Sequence, residues 1–136
     1  MCVSSRKPLI LAVDDNEDNL FLLRYQLQDT IDCSLITAMD GKSALALIES
    51  EMPDLVLLDI VLPDMNGMEV ARRIRECQKT IDLPIVALTA SARQEDRDRI
   101  LESGCNDYLS KPYDLDDLEK VIHQHLQRHL LCSQPL

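Results

Sequence analysis

The chain has 136 residues, of which 46% are hydrophobic and 3% aromatic, and its formal net charge is −10. This length fits one domain with an aliphatic core, and the acidic balance argues against a direct nucleic-acid partner, because binding phosphates needs a basic face. The five cysteines contain no CxxC pair, which predicts a cytoplasmic protein without disulfides or a thiolate metal site. No apolar run reaches the roughly 18 residues of a membrane span, so we expect no membrane partner.

Apolar segments of the chain alternate with segments whose apolar residues recur at helical spacing. Residues 55–58 run without interruption into Asp59 and indicate a strand that is buried on both faces. Residues 33–38 are richer in Ser and Thr, which suits an edge strand. Regular alternation of this kind predicts an α/β fold, a parallel sheet with helices on both faces. The predicted strands are residues 9–13, 33–38, 55–59, 85–88 and 107–109.

The helices that follow these strands begin near polar residues that can cap a helix N-terminus. Asp40 can cap the second helix, and Asn66 with Glu69 resembles a capping box at the start of the third. For the fourth helix we expect Ser91 and Gln94 to act as caps. The apolar residues predicted to face the sheet are Leu20, Leu23, Leu27, Ala44, Leu45, Ile48, Val70, Ala71, Ile74, Leu115, Leu118, Ile122 and Leu126.

Two of the predicted helices have unusual compositions. The fourth is nearly all charged and can rest on the sheet by little more than Ile100 and Leu101, so we expect it to be the least firmly held, with Gly104 closing it. The last helix carries His125 and His129 one turn apart. That spacing could hold a metal, but surface or half-buried packing is the favoured interpretation.

Polar side chains follow four of the five strands at the point where each strand ends. Asp14 and Asp15 follow the first strand, and Asp59 ends the third. Thr89 ends the fourth strand, and Lys111 follows the fifth. In open α/β sheets the functional site lies at the carboxyl ends of the strands, near the point where the strand order reverses. The sequence therefore predicts one site that contains all five residues.

The predicted site has the chemistry of phosphoryl transfer. Carboxylates crowded at one edge repel one another and become harder to ionise, but Lys111 and a divalent cation together would balance their charge. Oxygen ligands favour Mg²⁺ or Ca²⁺, and few carboxylates with room for water suit Mg²⁺. A hydroxyl, an ammonium and a metal around Asp59 would clamp an anion, so we predict Asp59 as the nucleophile that forms an aspartyl phosphate.

Four motifs in this order resemble the receiver domain of two-component response regulators, the family of the bacterial chemotaxis response regulator. They are VDDN at residues 13–16, LLDIVLPDMNG at 57–67, ALTA at 87–90 and DYLSKP at 107–112. The resemblance implies a five-stranded parallel sheet of order 2-1-3-4-5, the doubly wound flavodoxin-like fold. The domain prediction is an N-terminal extension at 1–7, a receiver domain at 8–131 and a tail at 132–136.

The resemblance also implies a metal site and a phosphoacceptor. Asp14 and Asp15, with Asp59 and the backbone carbonyl of Val61, would bind Mg²⁺. Asp59 would accept its phosphoryl group from a histidine kinase or a phosphotransfer protein, which makes the chain a signalling phosphoprotein and not an enzyme acting on a substrate.

Further residues take roles in holding and reading the phosphoryl group, as the resemblance implies. Thr89 and Lys111 would bind the phosphoryl oxygens, and the peptide bond between Lys111 and Pro112 would be cis. Thr89 and Tyr108 would form the switch: Thr89 moves toward the phosphoryl group and Tyr108 turns inward. The signal would leave through the face formed by the fourth helix, the fifth strand and the fifth helix.

Two departures from the family pattern matter, and the first concerns the lifetime of the phosphorylated state. Val61 and Ser91 occupy the positions that tune this lifetime, where fast-hydrolysing members carry an acid or an amide that orients water. Val61 cannot orient water and Ser91 does so poorly, so slow autodephosphorylation is expected. Leu62 replaces the usual Met before the loop proline, a volume-conserving change that should be tolerated.

Two other functions compete with this interpretation. A haloacid-dehalogenase-like phosphohydrolase also uses a strand-end Asp with Mg²⁺, but that class wants an acid at the position of Val61, and the chain has no room for a substrate cap. A receiver that only docks, without phosphorylation, is disfavoured because all the phosphorylation residues are present. The sequence does not name the cognate kinase or the output partner. A stand-alone protein, a domain of a hybrid kinase and a homodimer formed by residues 123–131 remain open.

Overall fold

The computed structural model describes residues 7–90 and 93–133, without the side chains of 29–30 and 127–133. Strands and helices alternate through these residues, as the sequence predicts. None of the described helices has the length and apolar content needed to cross a lipid bilayer. The elements are β1 (Leu9–Val13), α1 (Glu17–Thr30), β2 (Ser34–Ala38), α2 (Gly41–Glu51), β3 (Leu55–Asp59), α3 (Gly67–Glu76), a 3₁₀ turn (Gln78–Thr80), β4 (Ile85–Thr89), α4 (Gln94–Glu102), β5 (Asp107–Ser110) and α5 (Leu115–Ser133).

The five strands form one sheet in which every neighbouring pair is parallel. The strand order is β2-β1-β3-β4-β5, which confirms the predicted flavodoxin-like, doubly wound fold. β3 lies at the centre, and all five of its residues are buried. β2 is an edge strand, as its mixed composition predicts, and only Ala38 among its residues is buried. The sheet order reverses between β1 and β3, so the switch point lies where these two strands end.

An aliphatic core covers each face of the sheet. Successive side chains of β3 point to opposite faces, so Val56 and Leu58 belong to one core while Leu55 and Leu57 belong to the other. The first core is completed by residues of α2, α3 and α4, and the second by residues of α1 and α5. Burial of these apolar side chains on both faces is the main force that holds the sheet and the strand ends in place.

The start of α3 differs from the predicted capping box. Asn66 caps the helix, and its Oδ1 accepts a hydrogen bond from Met68 N at 2.7 Å. The Glu69 carboxylate lies against Arg72 and Arg73 instead, at 3.4 and 3.1 Å. Two arginines within one turn attract this carboxylate along the exposed helix surface, so the capping-box interpretation of Glu69 is wrong. Asp40 caps α2 as predicted, because its Oδ1 accepts from Ser43 N at 2.7 Å.

The fourth helix packs on the sheet through one apolar residue. Ile100 is buried, but Leu101 is 43% exposed, so the prediction that Leu101 faces the sheet is wrong. The two residues are adjacent, and a helix that buries one of them turns the other about 100° away. Arg93 occupies the N-cap position, Ser91 lies outside the described residues, and Gln94 Nε2 donates to Asp98 Oδ1 rather than capping the helix. Gly104 follows the helix at φ 119°, where a side chain would be strained, which confirms its role at the helix end.

Candidate functional site

Two buried carboxylates meet at the carboxyl edge of the sheet, where the strand order reverses. Asp14 directly follows β1, Asp59 is the last residue of β3, and both are buried. Lys111 Nζ lies 3.2 Å from Asp59 Oδ2 and 3.5 Å from Asp14 Oδ2. One ammonium therefore bridges the two carboxylates.

The two buried aspartates are held by the same local geometry. Asp59 Oδ1 accepts a hydrogen bond from Val61 N at 3.1 Å, and Asp14 Oδ1 accepts one from Asn16 N at 2.9 Å. Each carboxylate thus binds the amide two residues later with one oxygen and faces Lys111 with the other. Because short loops follow both strands, the chain itself fixes the carboxylates before any ligand arrives.

A third carboxylate completes an oxygen-lined cluster. Asp15 is exposed, and one oxygen each from Asp14, Asp15 and Asp59 can be chosen so that all lie within 4.8 Å of one another. With Lys111 included, the cluster keeps a formal excess of two negative charges, which one divalent cation would balance. Oxygen-only donors of this kind suit Mg²⁺, and the exposed side of the cluster leaves room for bound water.

The pKa values of the site report this crowding. Burial raises the pKa of the Asp59 carboxyl, and the charge of Asp14 raises it further, while the Val61 amide and Lys111 oppose the rise without cancelling it. Burial alone would lower the pKa of Lys111, but the charges of Asp59 and Asp14 outweigh burial and raise it. Lys111 therefore stays positively charged at neutral pH and Asp59 is destabilised as an anion.

Four further predicted residues lie on β4, on β5 or on the loops that follow β3 and β5. Thr89 is buried at the end of β4, and its carbonyl accepts from Lys111 N at 2.7 Å. The bond between Lys111 and Pro112 is cis, as the resemblance implies. Val61 follows Asp59 on the loop and is 71% exposed. Tyr108 is half-buried on the edge strand β5, with the Arg97 guanidinium 5.2 Å from its ring centroid. Ser91 lies outside the described residues.

Two polar side chains, one at the site and one at the opposite end of β5, have partners that the sequence did not predict. Asn19 Nδ2 donates to Asp14 Oδ2 at 3.3 Å, and its signal was its place one turn after the acidic pair. His125 is buried, with Nε2 3.1 Å from Asp107 Oδ2, so surface or half-buried packing is the wrong interpretation of this residue. The stripe that contains Leu118 and Ile122 already placed His125 on the buried face of α5. Its neighbour in the metal hypothesis, His129, has no described side chain.

A cleft of about 400 Å³ opens beside the cluster. It runs from the site between α1 and the loop that follows β5, and Leu22, 54% exposed, lies on its wall. The cleft therefore leads to the Asp14 carboxylate and the Lys111 side chain from the α1 side. The residues that line the cleft are Asp14, Asn19, Leu22, Leu23, Gln26, Lys111, Pro112 and Tyr113.

A doubly wound parallel sheet with an acidic, lysine-bridged cluster at its switch point defines a class of α/β proteins whose ligands bind at the carboxyl ends of the strands. Residues 10–123 match the family model of the response regulator receiver domain, and the chain belongs to that family of two-component phosphorelay signalling. This match confirms the resemblance that the four motifs carry.

Relatives and solved structures agree with this assignment. The chain is 45% identical over 117 residues to an uncharacterized 14.6 kDa protein of Leptolyngbya boryana, a match that covers 85% of this chain and 88% of the relative. It is 39% identical to the alkaline phosphatase synthesis transcriptional regulatory protein PhoP of Bacillus subtilis, where the match covers 91% of this chain but 50% of PhoP. The chain thus spans about half of this regulator's length.

The fold matches solved receiver domains over nearly the whole chain. The signal receiver domain of an HD domain-containing protein from Pseudomonas fluorescens superposes with a TM-score of 0.88 at 28% identity, over 100% of this chain and 98% of that one. The receiver domain of the sensor histidine kinase PA1611 from Pseudomonas aeruginosa superposes with a TM-score of 0.82 at 32% identity, over 89% and 98% of the two chains. That domain has a magnesium ion coordinated in its active-site cleft.

Proposed function

We propose that the protein is a phosphorylation-dependent signalling switch in which Asp59 accepts a phosphoryl group. The observation that carries the proposal is the contact of Lys111 Nζ with Asp59 Oδ2 at 3.2 Å, next to two further carboxylates. A single buried aspartate with a lysine would be an ordinary ion pair. An aspartate that is crowded by other acids, has a raised pKa and lies beside a cleft lined by Asp14 and Lys111 is instead poised to react.

Mg²⁺ is the proposed cofactor. Asp14, Asp15 and Asp59 would hold it with their carboxylate oxygens, and the carbonyl of Val61 would be a further ligand. The cluster fits this ion because its donors are all oxygens and its formal excess charge is two negative. When bound, Mg²⁺ would neutralise charge on the oxygens of the incoming phosphoryl group.

The transfer itself requires positioning rather than further acid-base chemistry. The donor would be a phosphohistidine of a histidine kinase or a phosphotransfer protein. Its P–N bond breaks as a P–O bond forms to an Asp59 carboxylate oxygen, and the imidazole nitrogen leaves with the bonding electrons and takes a proton from water. Lys111 holds one phosphoryl oxygen through its ammonium, and Thr89 donates its hydroxyl to another.

The phosphoryl group would be read through β4, β5 and α4. It replaces one negative charge on Asp59 by about two and adds three acceptor oxygens. Thr89 moves toward these oxygens and Tyr108 turns into the space that it leaves. Because Ile100 is the buried residue that fixes α4, this helix can shift at low cost and alter the surface of α4, β5 and α5. The exposed, apolar side chain of Val61 cannot orient water, which supports slow autodephosphorylation.

The molecular context of the chain is part of the proposal. We place the receiver domain at residues 8–131. Matches that cover most of a short relative favour a stand-alone receiver that acts by protein contact. Sensor kinases such as GacS of Pseudomonas protegens also contain a matching segment, which covers 88% of this chain and 13% of GacS. A histidine kinase is therefore the proposed phosphoryl source.

The test is phosphorylation by acetyl phosphate, with and without Mg²⁺, followed by intact mass. We expect the wild type to gain one phosphoryl group only with Mg²⁺, and Asp59→Asn to gain none. Asp54→Asn is the matched control, because Asp54 is a buried acid just before the opposite end of β3 and accepts a hydrogen bond from Leu9 N. It should be phosphorylated normally. A wild type that gains no phosphoryl group would favour docking without phosphorylation.

A further inference from the structure

The carboxylate of Asp64 reaches from the loop after β3 to the start of α2. Its Oδ1 accepts from Gly41 N at 2.7 Å and its Oδ2 accepts from Lys42 N at 3.0 Å. These are the first two amides of α2, while the local cap Asp40 binds the third residue, Ser43. The amides at a helix N-terminus lack partners within the helix and attract anions. Two carboxylates thus share this helix start, and one of them belongs to the loop that carries the site.

The contact between loop and helix is tight as well as polar. A methyl group added at Gly41 would lie 2.5 Å from Met65 Cγ and 3.1 Å from Val70 Cγ2. The loop therefore lies directly on the first turn of α2. Bonds to the two amides lower the pKa of the exposed Asp64 carboxyl, so it is ionised at neutral pH.

The same loop holds the proposed metal ligand. Asp59 and Val61 are joined by the bond from Val61 N to Asp59 Oδ1, and Gly67 N donates to Ile60 O at 2.7 Å. Val61 also forms an isolated bridge with Asn66. These bonds fix the base of the loop, but Val61 itself is 71% exposed and its side chain has little packing. The attachment of Asp64 to α2 fixes the loop three residues beyond Val61.

We propose that Asp64 is a positioning residue that fixes the loop of residues 60–66 on α2 and thereby holds the backbone of Val61 ready for Mg²⁺. This inference rests on the proposed function of Asp59 and its metal site. Residues that orient a ligand without touching the metal commonly change its affinity by about tenfold or more. A loop released from α2 samples other conformations. The free energy needed to order this loop then offsets part of the binding free energy of the cation and lowers its affinity.

The test compares Mg²⁺ binding by the wild type, Asp64→Ala, Asp64→Asn and Asp40→Ala. Calorimetric titration measures the Mg²⁺ dissociation constant, amide NMR follows the shift of Val61 N, and urea unfolding measures stability. Asp40→Ala is the matched control, since it also removes one negative charge and one cap from the same helix end, but leaves the loop attached. Asp64→Asn loses the charge yet keeps one side-chain oxygen that can accept a hydrogen bond from one of the two amides.

We expect Asp64→Ala to weaken Mg²⁺ binding by about tenfold and to shift the Val61 amide in the free protein, with Asp64→Asn intermediate. Asp40→Ala should lower stability and leave the dissociation constant unchanged. Equal Mg²⁺ affinity of Asp64→Ala and wild type, or equal weakening by Asp40→Ala, would overturn the positioning role while the proposed function stands. A wild type that binds no Mg²⁺ and gains no phosphoryl group would overturn both.

Discussion

Substituting Gly67 by alanine should disturb Asp59, the proposed phosphoacceptor, through the backbone. Gly67 is the first residue of α3, and a methyl group there would collide with the carbonyl oxygen of Asp59 and lie 2.7 Å from Ile60 Cα. Both neighbours are backbone atoms of the central strand and its exit, so neither can rotate away. Real Cβ contacts are longer than this, and the helix start or the end of β3 must move.

The closest comparison within the chain is Gly41, which is the first residue of α2. A methyl group at Gly41 meets the side chain of Met65 at 2.5 Å, and a flexible methionine can change rotamer to make space. Replacing glycine by alanine lowers the conformational entropy of the unfolded chain, which stabilises both variants equally. This gain in stability cancels when the two variants are compared. Overpacking typically costs about 1–3 kcal/mol, so before this shared gain we expect about 3 kcal/mol for Gly67→Ala and about 1 kcal/mol for Gly41→Ala, a difference of about 2 kcal/mol.

Urea unfolding of both variants measures these costs, and thermal unfolding should show a decrease of about 10 °C for Gly67→Ala. Phosphorylation of Gly67→Ala by acetyl phosphate should also be slower than that of Gly41→Ala, because the displaced carbonyl belongs to Asp59. Equal free energies of unfolding for the two variants would refute the distinction between a backbone and a side-chain neighbour. Normal phosphorylation of Gly67→Ala would show that Asp59 tolerates the displacement.

Three further predictions concern the charge of Asp59, docking at α1 and the hydrogen bonds of Arg75. The raised pKa of Asp59 means that the folded state binds the carboxyl proton more tightly than the unfolded state, so ionisation of Asp59 opposes folding as pH rises. In Mg²⁺-free buffer, Asp59→Asn should therefore have a higher melting temperature than wild type at pH 7. This difference in melting temperature should shrink on acidification, and a constant difference would contradict the burial argument. Phe21 and Tyr25 are 71% and 65% exposed on α1, near the cleft. Replacing both by serine should slow phosphoryl transfer from a histidine kinase and leave the rate of phosphorylation by acetyl phosphate unchanged. Equal slowing with both donors would exclude a docking role for these two side chains. Arg75 donates hydrogen bonds to Gly104 O, Thr80 O and Asn106 Oδ1. Arg75→Met should lower the free energy of unfolding in urea by about 2 kcal/mol, and the exposed Arg72→Met should lower it little. Equal losses would show that the three bonds of Arg75 do not stabilise the fold.

The sequence alone determined the elements and the edge of the sheet where the site lies. Apolar runs such as residues 55–58 and stripes at helical spacing are local signals, and burial of both sheet faces converts them into one architecture. Because parallel strands end at the same edge, the positions of Asp14, Asp59 and Lys111 along the chain were sufficient to bring them together. The motifs around them were specific enough to name the family that the match over residues 10–123 confirms.

The structure decided which of several possible polar partners meet. For Glu69 the choice was local: its spacing favoured a cap, but the neighbouring Arg72 and Arg73 compete for its carboxylate. Other choices depend on groups that are distant in sequence. The amides of α2 are bound by Asp64, which lies 23 residues from Gly41. His125 binds Asp107 from 18 residues away. A hydrogen bond needs its two atoms within about 3 Å, and only the packed sheet and helices set distances at that scale.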